Sequence, residues 1–394
     1  MTHRIEAWAA LVAVAAVAGP ALADPPGKFD AATVSKAWEA RERKVKSFAF
    51  EWTDVVTTPR GRISRNRPAG GAETRGEVPP VDLVFRSPRS ILMDGDKARY
   101  RYSVQHWWPS RNGPVTEECD SSFDGSKYTS AAAYTPADVT PPTGTIKKAD
   151  YHADLSTLSA RPAMVALRGT HPKYRVYDPA AYEATGRTVK VHGVACAELV
   201  RENQAQAFRS VLLVDPARDC VLVRATRHER GKLSYQIDIA YSPDPVAGWV
   251  PASWEHAYHD ATGALYASGR CKAVRCQINP ALDDDAMTCV PPPGTQMVDV
   301  TGPQQLVYVV QADGAVGKRF PRGSDVTYEQ MAAAGPEQTA RWWLRGPWLA
   351  SAAVFLASVG LLGWRGVSRA RSRRGPPDED CGGSPPPRIT EEDK

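Results

Sequence analysis

Three adjacent carboxylates, Asp283, Asp284 and Asp285, stand four residues before Cys289 in NPALDDDAMTCVPPPGT, and this mixture of donors invites a metal-site reading. Successive residues of an extended chain point in alternating directions, so three neighbouring carboxylates do not converge on one cation unaided. Asp and Asn also close turns with their own side chains, and a run of prolines enforces an extended exit. The segment therefore reads as a turn leading out of a strand. In a second group, Glu255, His256 and His259 in SWEHAYHD, the two histidines would share a face on a helix. That stretch lies between strand-like runs, where positions three apart face opposite sides. With no third ligand in view, no metal site is assigned. G-x-S-x-G, H-E-x-x-H, the P-loop and G-x-G-x-x-G are absent. No catalytic residue and no cofactor is assigned, and the chain reads as a binding protein rather than an enzyme.

Cysteine is the remaining reactive type. Six cysteines (Cys119, Cys196, Cys220, Cys271, Cys276, Cys289) precede the C-terminal apolar run, and Cys381 follows it. Cys271 and Cys276 cannot bridge along one strand: five residues at about 3.3 Å each separate them by roughly 16 Å. A disulfide needs Cα atoms within about 7 Å. Buried or partly paired cysteines are the simpler expectation.

The elements that position these residues read mostly as strands. DAATVSKAWEARERKVKSFAF opens with Asp30 as a helix cap, and Val34, Trp38 and Val45 recur at helical spacing. The period changes to two at Phe48, Phe50 and Trp52, which marks entry into a strand. Hairpins follow, with Asp-Gly pairs at 94–95 and 124–125 at their turns. A helical interval at 155–169 is kept short by Pro162. Four strands are expected at 194–201, 207–214, 220–229 and 233–242, and two more around the turn DATG. Pairing about the turns DPARD and ERGK puts Phe208, Leu212, Cys220, Leu222, Tyr235, Ile237, Ile239 and Tyr241 on one face. Arg224 falls on that face by the same count. Val211, Leu213, Val221 and Val223 fall on the other, so both faces are apolar and one must be covered or kept as a pocket.

The two ends carry a different signal. MTHRIEAWAALVAVAAVAGPALADPPG has the order of a secretory signal peptide, with small residues before a cleavage point after Ala23. Pro347 to Trp364 carry no charge; as a helix they would span roughly 27 Å, near the thickness of a hydrocarbon core of about 30 Å. Trp342, Trp343 and Trp348 mark one interface and Trp364 the other, and Arg365, Arg369, Arg371, Arg373 and Arg374 follow. The arginines place that side in the cytoplasm. They also account for the whole net charge of +5, which leaves no basic footprint for nucleic acid elsewhere.

The order of pieces FAFEW, FDGSKY, HGVACAELVRE, SVLLVDPARDCVLVRATRH, SYQIDIAYSPDPVAGWVPASW and QINPALDDDAMTCVPPPGTQMVD resembles the bacterial lipoprotein-carrier superfamily, which includes LolA and RseB. The resemblance covers roughly residues 30–300. It implies an α+β fold, a curved antiparallel half-barrel sheet with one or two packed helices closing an apolar cavity for acyl chains. A C-terminal transmembrane helix is added here, so free shuttling is not expected. The expected plan is a signal peptide at 1–23, an extracytoplasmic (periplasmic) domain at 24–300, a juxtamembrane linker at 301–346, a membrane helix at 347–364 and a disordered cytoplasmic tail at 365–394. The cavity is expected at Phe208, Leu212, Leu222, Arg224, Tyr235, Ile237, Ile239 and Tyr241. The expected function is a membrane-tethered binder of a lipid, acyl chain or lipopeptide that senses envelope state, with the membrane and an envelope protein as partners. A ligand-free protein-interaction or assembly module and an unrecognised hydrolase stay open as alternatives.

Overall fold

Asp30 caps the first helix as its sequence predicts. In the computed structural model, which describes residues 29–61, 81–108, 111, 113–137, 140–150 and 152–337, α1 spans Ala31–Glu42. The Asp30 carboxylate accepts from the Thr33 amide at 2.8 Å, satisfying one of the first-turn donors that a helix leaves unpaired. Val34 and Trp38 are fully buried, and the Trp38 indole donates to the Cys220 carbonyl at 2.8 Å. The second helix, α2 (Arg161–Leu167), has Pro162 in its first turn and buries every residue from Pro162 to Leu167.

Six strands follow α1 as a meander: β1 (Ser47–Thr58), β2 (Leu83–Asp94), β3 (Lys97–Trp108), β4 (Gly113–Phe123), β5 (Lys127–Thr135) and β6 (Thr143–Lys148). Gly125 in the β4–β5 turn has φ 103°, while Asp124 accepts from the Ser126 and Lys127 amides at 2.9 and 2.7 Å. After α2 come β7 (Glu183–Val191), β8 (Val194–Asn203), β9 (Phe208–Asp215), β10 (Val221–Glu229), β11 (Lys232–Asp244), β12 (Gly248–His259) and β13 (Leu265–Ile278). β13 returns to pair with β1, which joins the two meanders into one open sheet.

The acidic triplet is a turn. Asp283 caps the single helical turn α3 (Asp284–Met287) by accepting from Ala286, and Asp284 pairs with Lys97 at 2.5 Å. The sheet then continues beyond residue 300, across much of the segment expected to be a linker. β14 (Gln296–Asp299) pairs in parallel with β6, and β15 (Leu306–Val309), β16 (Phe320–Pro321) and α4 (Tyr328–Ala333) complete the described chain. All other strand pairs are antiparallel. The chain divides after Pro336, and the described elements belong to the first unit. No helix among the described residues is long and apolar enough to cross a membrane. The expected signal peptide at 1–23 and the expected span at 347–364 lie outside those residues.

One face of the sheet wraps the two helices. Residues of β1–β5 and β8–β13 form a single buried cluster with Val34, Trp38 and α2. A smaller row, Val191, Cys196, Leu213 and Val223, is buried on the opposite face of β7–β10, which accounts for strands apolar on both sides. Arg41 ties the helices to the sheet, donating to the Asp219 carbonyl at 2.6 Å and to the Ala166 carbonyl at 3.4 Å.

Candidate functional site

β1 sends Phe48, Phe50, Trp52 and then Asp54 to the same face, so the apolar series ends on a carboxylate that is fully buried. β2 does the same with Met93, Ile91 and Arg89, and β12 with Trp254 and His256. Cys271 on β13 lies opposite both Asp54 and Trp254. Pairing β1 with both neighbours therefore gathers Asp54, Arg89, His256 and Cys271 at one point of the wrapped face.

Arg89 Nη2 lies 3.2 Å from Asp54 Oδ2, and Nη1 donates to the Tyr100 hydroxyl at 2.9 Å. The guanidinium also stacks over Tyr102, 5.4 Å from its ring centre. His256 Nε2 is 3.3 and 3.4 Å from the two Asp54 oxygens. Ser159 accepts from the Trp52 indole at 3.0 Å and stands 3.7 Å from the Cys271 sulfur. Burial alone would push the Asp54 carboxyl up, but His256 and Arg89 hold it down at about 2. Burial pushes the Cys271 thiol up, and the Asp54 charge pushes it further. A Cys, His and Asp set can make a nucleophile, yet attack needs a thiolate, and this environment favours the thiol.

Above the cluster opens a cavity of about 280 Å³. Its deep end is formed by Asp54, Arg89, Ser159 and His256, and its walls by half-buried Val56, Leu83, Phe85, Val104, Tyr258 and Ala267. Three buried nitrogens at this cavity, Arg89 Nε, His256 Nδ1 and His259 Nδ1, have no hydrogen-bond partner among the described residues. Buried polar groups are normally paired, so this end of the cavity is built to meet polar atoms that the fold does not supply. A second cavity, about 520 Å³, lies between β4–β6 and the C-terminal elements. There the Asp154 carboxylate is already engaged by Tyr128 and Ser121 at 2.6 and 2.9 Å. A third, about 760 Å³, is a shallow depression lined by Glu51, Thr53, Ser90 and Arg101.

The residues expected to line a cavity are placed differently from one another. Leu212, Leu222, Tyr235, Ile237 and Ile239 are buried together beneath the helices, in the main core cluster. Tyr241 packs at its edge and donates to the Leu222 carbonyl at 3.0 Å. Phe208 is half-buried between the guanidinium groups of Arg201 and Arg227, at 5.6 and 5.0 Å. Arg224 is not on the face of Leu222: the pairing of β10 with β9 shifts between Leu222 and Arg224, and Arg224 forms an ion pair with Asp238. His256 and His259, expected on opposite faces, both line the 280 Å³ cavity; His259 is the last residue of β12, where the register with β13 shifts. Glu255 points elsewhere and pairs with Arg270 at 3.2 Å.

Asp54, Arg89 and Ser159 were not singled out from the sequence, and Cys271 only as a cysteine that cannot bridge to Cys276. A signal for the first two was present: each continues a period-two apolar run with a charge. The six cysteines named above are all free thiols.

No family model matches the chain, and no curated protein matches it. Solved structures do. An outer membrane lipoprotein-sorting protein domain from Vibrio parahaemolyticus has a TM-score of 0.34 at 11% identity, covering 65% of this chain and 94% of that one. A LolA superfamily protein from Nitrosomonas europaea gives 0.33 at 13% identity, covering 66% and 96%. A DUF1329 family protein from Desulfovibrio piger gives 0.32 at 10% identity, covering 65% and 97%. The chain is similar to solved LolA-superfamily and lipoprotein-sorting domains.

Proposed function

We propose that the chain is a membrane-tethered extracytoplasmic binding protein that holds an acyl chain of a lipid or lipoprotein in the half-barrel cavity, its polar head at the charged end. The observation that carries this reading is the cavity itself. Apolar side chains line its walls, and unpartnered nitrogens of Arg89, His256 and His259 sit where a carboxylate, ester or amide oxygen would accept from them. At about 280 Å³ the space is near the lower bound of ligand pockets, roughly 300 Å³. It therefore suits the head and first part of a chain. A longer chain would reach Tyr235, Ile237 and Ile239 only by entering the main core cluster, in which they are buried. The apolar run at 347–364, with arginines behind it, supplies the tether, and a tether fits a sensor or acceptor better than a diffusing shuttle.

Binding of a fluorescent fatty-acyl probe to the purified full-length chain tests the reading. Saturable binding is expected, weakened by on the order of tenfold, about 1.4 kcal/mol, in Phe85→Glu. Phe85 is only half-buried, so the fold should survive that change. A wild-type chain that binds no probe and co-purifies with no lipid by mass spectrometry would end the acyl-binding reading.

A further inference from the structure

Asp54, His256 and Cys271 place a carboxylate, an imidazole and a thiol within 4.8 Å of one another, although Asp54 and His256 are 202 positions apart in the chain. We propose that this cluster is a binding site for a borderline divalent cation, Zn²⁺, held by these three side chains with a fourth position facing the cavity. The proposal stands whether or not an acyl chain enters above it.

Four observations carry it. The first is spacing. His256 Nε2 and Asp54 Oδ1 are 3.3 Å apart, long for a charge-assisted hydrogen bond of about 2.7–2.9 Å. In a tetrahedral site with metal–nitrogen and metal–oxygen bonds of about 2.0–2.1 Å, two such donors stand roughly 3.3 Å apart. The second is Gly269. A Cβ there would come within 2.2 Å of His256 Nε2 and 2.7 Å of Asp54 Oδ1, so only glycine leaves the ground beside these two donors clear. The third is donor chemistry. A thiol, an imidazole and one carboxylate suit Zn²⁺, whereas Ca²⁺ and Mg²⁺ take oxygen ligands. The fourth is Arg89, which engages Asp54 through Oδ2 and leaves Oδ1 directed at His256, the kind of outer partner that fixes a ligating carboxylate.

The charges balance. Binding displaces one proton from the Cys271 thiol to solvent. The resulting thiolate and the Asp54 carboxylate neutralise the cation, and Arg89 then adds one positive charge at the floor of the cavity. An anion at the fourth position would offset it. Without a metal the same residues form an Arg89–Asp54 ion pair with His256 beside it, in which Cys271 only packs, and the test separates the two.

The full-length chain, stripped with a chelator, is titrated with Co²⁺ and then with Zn²⁺. One tightly held ion per chain is expected. The cobalt form should show a thiolate-to-metal charge-transfer band and the intense visible bands of a tetrahedral site, both removed by Zn²⁺. Cys271→Ser should abolish the charge-transfer band and Cys276→Ser should leave it unchanged. His256→Ala should weaken binding by more than roughly a hundredfold, beyond the loss of an outer-shell partner. If Cys271→Ser does not fold, X-ray absorption at the zinc edge of the wild type decides. A single sulfur among the ligands supports the site, and a shell without sulfur overturns it. Absence of the charge-transfer band in the wild type, or its survival in Cys271→Ser, overturns the site as well.

Discussion

At the scale of residues, the informative positions are polar side chains that continue an apolar alternation. Asp54 follows Phe48, Phe50 and Trp52 on one face, and Arg89 precedes Ile91 and Met93 on another strand of the same wall. Both were legible in principle from the sequence, since a charge on the inward face of a strand is expensive unless partnered. Cys271 was not: its role depends on β13 returning to β1, a pairing of distant segments that no local pattern encodes. Gly269→Ala should cost about 1–3 kcal/mol in a denaturant titration, because the new methyl group must push His256 and Asp54 apart in a filled site. An unchanged midpoint would show that the histidine ring is free to move aside. His152 gives a second test. It is buried edge-on between Tyr100 and Tyr128. Burial lowers its pKa, against the pull of Asp154 and Asp120. The unfolded chain therefore takes up a proton that the folded one resists. Stability from this group is complete above the unfolded value of about 6.5 and is lost as pH falls below it. His152→Phe should flatten that part of the melting temperature against pH. An identical profile in the variant would assign the dependence to other groups.

At the scale of elements, strand positions and turn chemistry were readable, and register was readable only up to the bulges. The turns DPARD and ERGK lie where the sequence put them, and Tyr235, Ile237 and Ile239 share a face with Leu212 and Leu222. Arg224 escaped because one extra residue in β10 reverses the alternation after Leu222, and His259 because it is the last residue of β12, where the pairing with β13 shifts around Tyr266. A bulge inserts one residue without a composition signal strong enough to count. β15 and β16, of four and two residues, are too short to show a period at all. The packing of these elements makes a contrast between two positions on paired strands. Ile237 is 1% exposed in the main core, so Ile237→Ala should cost about 2–5 kcal/mol by chemical denaturation. Arg224→Leu, which removes a partly exposed ion pair with Asp238, should cost no more than about 1 kcal/mol. A small loss at Ile237 together with a change in acyl-probe affinity would instead mark that face as a ligand wall.

At the scale of the whole molecule, the reading depends on which side of a membrane the sheet occupies. A sheet with six free thiols is chemically compatible with either side, so the cysteines do not decide the matter. Orientation rests on the ends of the sequence. The uncharged run 347–364 is flanked by tryptophans and followed by five arginines, and positive charge is retained on the cytoplasmic side of a span. Against it stand Arg341 and Arg345 on the other flank, which reduce the asymmetry without reversing it. Protease added to intact spheroplasts should digest the sheet domain and leave a fragment that carries the tail with Cys381. The cavity would then face the extracytoplasmic side, as the proposed acyl-binding role requires. Digestion of the tail with the domain protected would place the cavity in the cytoplasm, and the acyl-binding reading would lose the setting that makes a tethered acceptor useful.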